Sequence, residues 1–130
     1  MLYRHGVYIM KIKKYDYPIG LQIELTGRCN LKCHHCYNSS GEAGILDLKN
    51  NEWLEFIKRY LDTTLIPQIN FTGGECLLRK KLLMKIINEI SRKDTNTKIG
   101  ILTNGYYVDD YFIDLLKEVP NPIFFFFFLH

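Results

Sequence analysis

Apolar spacing switches repeatedly between two periods along this chain, and that switching narrows the fold more than any other feature. Leu21-Gln22-Ile23-Glu24-Leu25-Thr26 alternates apolar and polar residues with period two, as a strand does. Trp53, Leu54, Phe56, Ile57, Tyr60 and Leu61 then recur at the spacing of one helical face, with Asn50 or Asn51 available to cap it. Ile69-Asn70-Phe71-Thr72 reads as a second strand running into the Gly73-Gly74 turn, and Leu82, Leu83, Ile86, Ile87 and Ile90 form a second helical stripe. Ile99 to Thr103 is a third strand, stopped by Asn104-Gly105. Phe112, Ile113, Leu115 and Leu116 mark a third helix closed by Pro120 and Pro122, and Ile123 to Leu129 is a fourth apolar run. Strand and helix alternating in this way predict right-handed βαβ units around a parallel sheet, an α/β fold. In such sheets chemistry gathers at the carboxyl ends of the strands.

Composition sets the scale. With 130 residues, 47% of them hydrophobic, the chain is sized for one domain and too apolar to be disordered. The net charge of +3 is mild, and the basic clusters Arg4, Lys11, Lys13, Lys14 and Arg79-Lys80-Lys81 read as solvated faces. Neither a nucleic-acid nor a membrane partner is therefore expected. Residues 1–17 mix charge with aromatics and do not resemble a signal peptide. The expected location is cytoplasmic, where thiols stay reduced and clustered cysteines bind metal more often than they pair.

Three of the four cysteines fall in Cys29-Asn30-Leu31-Lys32-Cys33-His34-His35-Cys36, directly after the first strand. Thiolates at this CxxxCxxC spacing can converge on one iron-sulfur cube and leave its fourth iron without a protein ligand. An open coordination position of that kind lets a metal site bind substrate. The spacing is also compatible with a structural zinc ion, with His34, His35 or Cys76 as fourth ligand, and with unligated buried thiols.

The stretch from Glu24 to Asn38 resembles the cluster loop of radical S-adenosylmethionine (radical SAM) enzymes, with the flavour of the peptide- and protein-modifying branch that often carries a SPASM-type domain. Thr72-Gly73-Gly74-Glu75 resembles the family's GGE motif, and Leu77-Leu78-Arg79 continues in the family's manner. Leu102-Thr103-Asn104-Gly105 stands where the family commonly has a TNG turn. The resemblance implies a truncated core in residues 19–130, a partial (β/α)6-type barrel of about three and a half βα units, with residues 1–18 as an N-terminal extension. It implies that Cys29, Cys33 and Cys36 ligate a [4Fe-4S] cluster whose fourth iron SAM chelates. Tyr37 would lie near the adenine, and Asn104 with Gly105 would shape the pocket floor. Gly73, Gly74 and Glu75 would meet the methionyl amino group, since glycine lets backbone approach closely and a carboxylate accepts from an ammonium.

The implied activity is that of an oxidoreductase-type radical SAM enzyme. SAM is cleaved reductively to a 5′-deoxyadenosyl radical, which takes hydrogen from a peptide or protein substrate, with a flavodoxin or ferredoxin as electron donor. Two features depart from the family pattern. Cys76 replaces the usual proline after GGE and reads as a buried thiol or as a site for adventitious metal or disulfide chemistry, while His34 and His35 read as solvent-facing. The chain also stops at the fourth strand, with Phe124 to Phe128 where a polar SAM-contacting end is expected. That leaves an apolar edge uncovered. It points to a truncated product, with an inactive cluster-binding remnant and a small zinc module as the alternative readings.

Overall fold

The computed structural model describes residues 2–4, 7–9, 19–36, 41, 47–63 and 66–128. Strands β1 (Leu2–Arg4) and β2 (Val7–Ile9) pair antiparallel in a two-stranded sheet of their own. The remaining strands, β3 (Leu21–Glu24), β4 (Gln68–Thr72), β5 (Lys98–Thr103) and β6 (Ile123–Phe127), lie parallel and side by side in chain order. Helices α1 (Asn50–Thr63), α2 (Lys80–Lys93) and α3 (Asp110–Lys117) form the connections. A sheet that follows chain order without reversal is the wall of a barrel, whereas a doubly wound sheet reverses at a switch point. The expected partial α/β barrel is the architecture found.

Strand register decides which side chains meet the helices. Ile23, Phe71, Ile101 and Phe125 stand abreast across the four strands. They point to the helical side, where the Phe112 ring of α3 meets Phe125 edge-on, the ring centroids 6.4 Å apart. All five stripe residues of α2 (Leu82, Leu83, Ile86, Ile87, Ile90) are buried here, each contributing about 1.5–3 kcal/mol of transfer free energy. From α1 only Ile57 and Leu61 are fully buried; Phe56 stays at the rim, packed on Trp53 and Tyr60. Below the sheet, Asn121 donates to the carbonyls of Asp94 and Thr97 and joins the end of α2 to the start of β5.

On the other face Gln22, Asn70, Gly100 and Phe124 stand abreast. Gly100 has no room for a side chain, because a Cβ there would lie 2.2 Å from Asn70 Oδ1. Phe124 and Phe126 are exposed on this face, at 48% and 46%. The phenylalanine run thus forms the parallel strand expected of it but has helical cover on one face only, and β6 pairs only with β5 among the described strands.

Local chemistry moved two boundaries. The first strand ends at Glu24 rather than Thr26, because the Thr26 hydroxyl turns inward to donate to Asp47. Neither Asn50 nor Asn51 caps α1. The Lys49 N–H is accepted by Glu52 three residues on, half of a capping box, while Asn50 Oδ1 accepts from Arg79.

Candidate functional site

Loops leaving the carboxyl ends of β3, β4 and β5 converge on one cavity of about 150 Å³. Cys29, Cys33 and Cys36 line it together with Gly73, Gly74 and Asn104. Six of the eight residues singled out from sequence therefore line one cavity. Tyr37 lies outside the described residues. Glu75 sits beneath the cavity, 1% exposed.

The three thiols are close enough to feel one another. Cys33 has its pKa pushed up, first by desolvation and then by the charges of Cys29 and Cys36. Three sulfur donors lining one cavity are the donor chemistry that an iron-sulfur group takes. Cys29 Sγ accepts from the Leu31 N–H at 3.4 Å. Among the described residues no three His, Cys, Asp or Glu side chains are drawn tightly enough to enclose a single metal ion. His34 and His35 are exposed as expected, although His35 also borders the cavity.

Gly73 and Gly74 are glycines because the cysteine loop lies directly on them. A Cβ on Gly74 would sit 2.1 Å from the Arg28 carbonyl oxygen, and one on Gly73 would sit 2.4 Å from that of Thr26. Gly73 also holds φ at +139°, which side chains rarely permit. The close approach is sealed by two backbone bonds, Gly74 N–H to Thr26 O and Glu75 N–H to Arg28 O, both 2.8 Å. The backbone that these glycines approach closely in this structure is that of the cysteine loop.

Glu75 differs from expectation in its orientation. Its carboxylate faces the protein and accepts three donors: Leu77 N–H at 2.9 Å, Thr103 hydroxyl at 2.7 Å and Asn104 N–H at 2.8 Å. The first caps the 3-10 turn Cys76–Arg79, and the others pin the end of β5. Asn104, held there, donates its side-chain amide to Asn30 Oδ1 at 2.9 Å and points the same group toward Cys29 Sγ at 4.0 Å. Its Oδ1 accepts from Tyr106 N–H, which fixes the amide orientation. The GGE-like and TNG-like segments are thereby joined through Glu75, and both are joined to the first cysteine.

Cys76 is a buried thiol, as one of the two expectations had it. It is fully buried, its Sγ lies 3.3 Å from Leu102 O, and no disulfide joins the four cysteines. Burial, and then the Glu75 charge, push its pKa far up. It does not line the cavity.

Reading Arg79-Lys80-Lys81 as a solvated face holds for Lys81 alone. Lys80 pairs with Asp109, and Arg79 is half-buried and donates to Leu25 O, Leu48 O and Asn50 Oδ1. Sequence reasoning also missed Asp47 and the role of Thr103. No spacing rule ties an aspartate to a hydroxyl many residues earlier in the chain.

Comparison with known proteins agrees with this geometry. The family model of the radical SAM superfamily matches residues 23–127. A PqqA peptide cyclase from Granulibacter bethesdensis is 35% identical over 103 residues, covering 78% of this chain and 26% of that protein. A sporulation killing factor maturation protein from Bacillus subtilis is 30% identical, with 80% and 24% covered, and a GTP 3′,8-cyclase from Nautilia profundicola is 34% identical, with 78% and 33% covered. The chain thus spans about a quarter to a third of the length of these curated relatives. No helix among the described residues is long and apolar enough to cross a membrane. With the match running from β3 through β6 and the cysteine, GGE-like and TNG-like segments meeting at one cavity, the chain belongs to the radical SAM superfamily.

Proposed function

We propose that residues 19–130 carry the cofactor-binding half of a radical SAM enzyme acting on a peptide or protein, with residues 1–18 as an extension. The observation that carries this is the shared cavity, lined by Cys29, Cys33 and Cys36 together with Gly73, Gly74 and Asn104. A single zinc ion would need its sulfurs drawn together around bonds of about 2.3 Å. A [4Fe-4S] cube spreads its thiolates, because each meets a different iron, and that suits three cysteines arranged around a cavity. Cys29, Cys33 and Cys36 would hold the cluster, and Gly73 and Gly74, which line the same cavity, would border the methionyl end of SAM. Together, cluster and SAM supply one-electron cleavage and hydrogen abstraction.

The chain's own residues prepare this site. Leu31 N–H donates to the Cys29 sulfur at 3.4 Å, and the Asn104 amide is aimed at it from 4.0 Å, so both orient that side chain. Glu75 holds Asn104 in place rather than reaching the cavity itself. Phe128, itself exposed, borders the cavity. A peptide or protein substrate is favoured because several relatives are named for peptide maturation or cyclisation. A flavodoxin or ferredoxin would supply the electron, and a cytoplasmic setting suits both the thiols and that donor.

The test is anaerobic reconstitution with iron and sulfide, followed by reduction and EPR with and without SAM. A reduced-cluster signal that shifts with SAM is expected. A colourless chain holding only zinc, or a cluster signal indifferent to SAM, overturns the proposal.

A further inference from the structure

The cysteines sit on a loop whose two feet are Leu25 to Arg28 and Asp47 to Asn50. Each foot is gripped by a charged side chain. Asp47 accepts from the Thr26 hydroxyl and from Gly27 N–H at 2.9 Å, closing the loop on itself. Arg79 comes from outside the loop, on the turn that follows Glu75. Its Nη1 donates to Leu25 O at 2.7 Å, and its Nη2 donates to Leu48 O at 2.9 Å and Asn50 Oδ1 at 2.6 Å. One guanidinium therefore spans both feet. Its acceptors are two backbone carbonyls and one amide, and among the described residues it makes no ion pair. What the cation contributes is geometry: a planar fork set between the segment that leaves β3 and the segment that enters α1.

The grip bears on the cysteines through covalent continuity. Cys29 follows the first foot by one residue, and the same foot is bonded to Gly74 and Glu75 N–H groups on the β4 side. The turn that carries Arg79 is in turn capped by Glu75. Loosening the guanidinium frees Leu48 and Asn50 from Leu25 and from the β4–α2 connection, leaving Asp47 alone to join the two feet. The base of the loop is then held less firmly, and convergence of the three sulfurs costs more conformational entropy.

We propose that Arg79 and Asp47 form a latch at the base of the cysteine loop and act as positioning residues for the iron ligands. The second half of this statement rests on the reading of Cys29, Cys33 and Cys36 as those ligands; the first half does not. The latch acts through the loop, and neither side chain lines the cysteine cavity.

Two readouts on the full chain test it. In the chain without iron, Arg79→Met should speed amide exchange at Gly27 and Arg28 about tenfold or more while β5 amides stay unchanged. In the iron-reconstituted chain, Arg79→Met and Asp47→Asn should release iron to a chelator about 10–100-fold faster, the range typical of lost outer-shell support. Arg79→Lys should recover only part of this, because one ammonium cannot fork between Leu25 and Leu48. Asn121→Ala, which removes buried bonds at the far end of the sheet, serves as the control: it should lower the melting temperature yet leave iron retention unchanged. Unaltered exchange at Gly27 in Arg79→Met overturns the latch. Faster exchange with unaltered iron release, or equal iron loss in Asn121→Ala, overturns the positioning role. A wild-type chain that takes up no iron defeats the cluster reading, while the exchange comparison still decides the latch.

Discussion

Replacing Glu75 by glutamine changes almost no volume, so it isolates the hydrogen bonds that this buried carboxylate makes. Its Oε1 accepts from Leu77 N–H and the Thr103 hydroxyl, and its Oε2 accepts from Asn104 N–H. Glutamine has one oxygen. If that oxygen keeps Leu77 and Thr103, the new NH₂ faces Asn104 N–H and two donors collide. If the amide flips, Leu77 N–H is orphaned instead. The Thr103 hydroxyl already accepts from Gly105 N–H and gives limited relief. Either way a backbone donor loses a charge-assisted bond, worth about 1.5–3 kcal/mol. A neutral amide is cheaper to bury than a carboxylate, which offsets part of the loss. The net expectation is destabilisation by about 2 kcal/mol, a large share of a typical domain's margin. Urea unfolding should show a lower midpoint with an unchanged slope. Hydrogen exchange should locate the damage at the Asn104 amide or the Leu77 amide. A Glu75→Gln chain within about 0.5 kcal/mol of the original, with both amides still protected, would refute the reasoning.

Other consequences are simpler to read. Gly74→Ala puts a methyl 2.1 Å from Arg28 O, so the cysteine loop must lift away; overpacking costs of about 1–3 kcal/mol are expected, with faster exchange at Glu75 N–H in the same variant. Alkylation of the native chain at neutral pH should modify Cys29, Cys33 and Cys36 and spare Cys76, which is buried and has its pKa pushed up; labelling of Cys76 at the same rate as the others would contradict its burial. Asp109 caps α3, and its carboxyl pKa is held below the ordinary aspartate value by the hydrogen bond from Lys80 and then by that from Phe112 N–H. A depressed folded pKa stabilises above the unfolded value, so this contribution is lost as pH falls through the lowered folded pKa. An acid titration of Asp109→Asn should therefore lack that part of the stability loss seen in the original chain.

Much of the architecture was legible in the residues because it depends on short-range pattern. Period-two and helical spacing placed three helices and four strands, and the α2 stripe is buried residue for residue. Proximity of Cys29, Cys33 and Cys36 follows from their spacing in one loop, and their place after a strand follows from the parallel topology. Local pattern also put Asn104-Gly105 at the end of β5, where the chain must turn.

Tertiary structure decided where charge and backbone meet across the chain. Glu75 looks from the sequence like a group aimed at a ligand, yet three donors, two of them from the end of β5, draw its carboxylate inward. Arg79 reads as one of a basic trio, yet its fork reaches a carbonyl 54 residues away. Asp47 carries no local signal at all until the loop closes and brings Thr26 beside it. Periodicity reports which face of an element is apolar, because solvent exclusion acts on each residue by its own chemistry. Hydrogen bonds are directional and short, so their partners exist only once the strands have set the distance between distant segments.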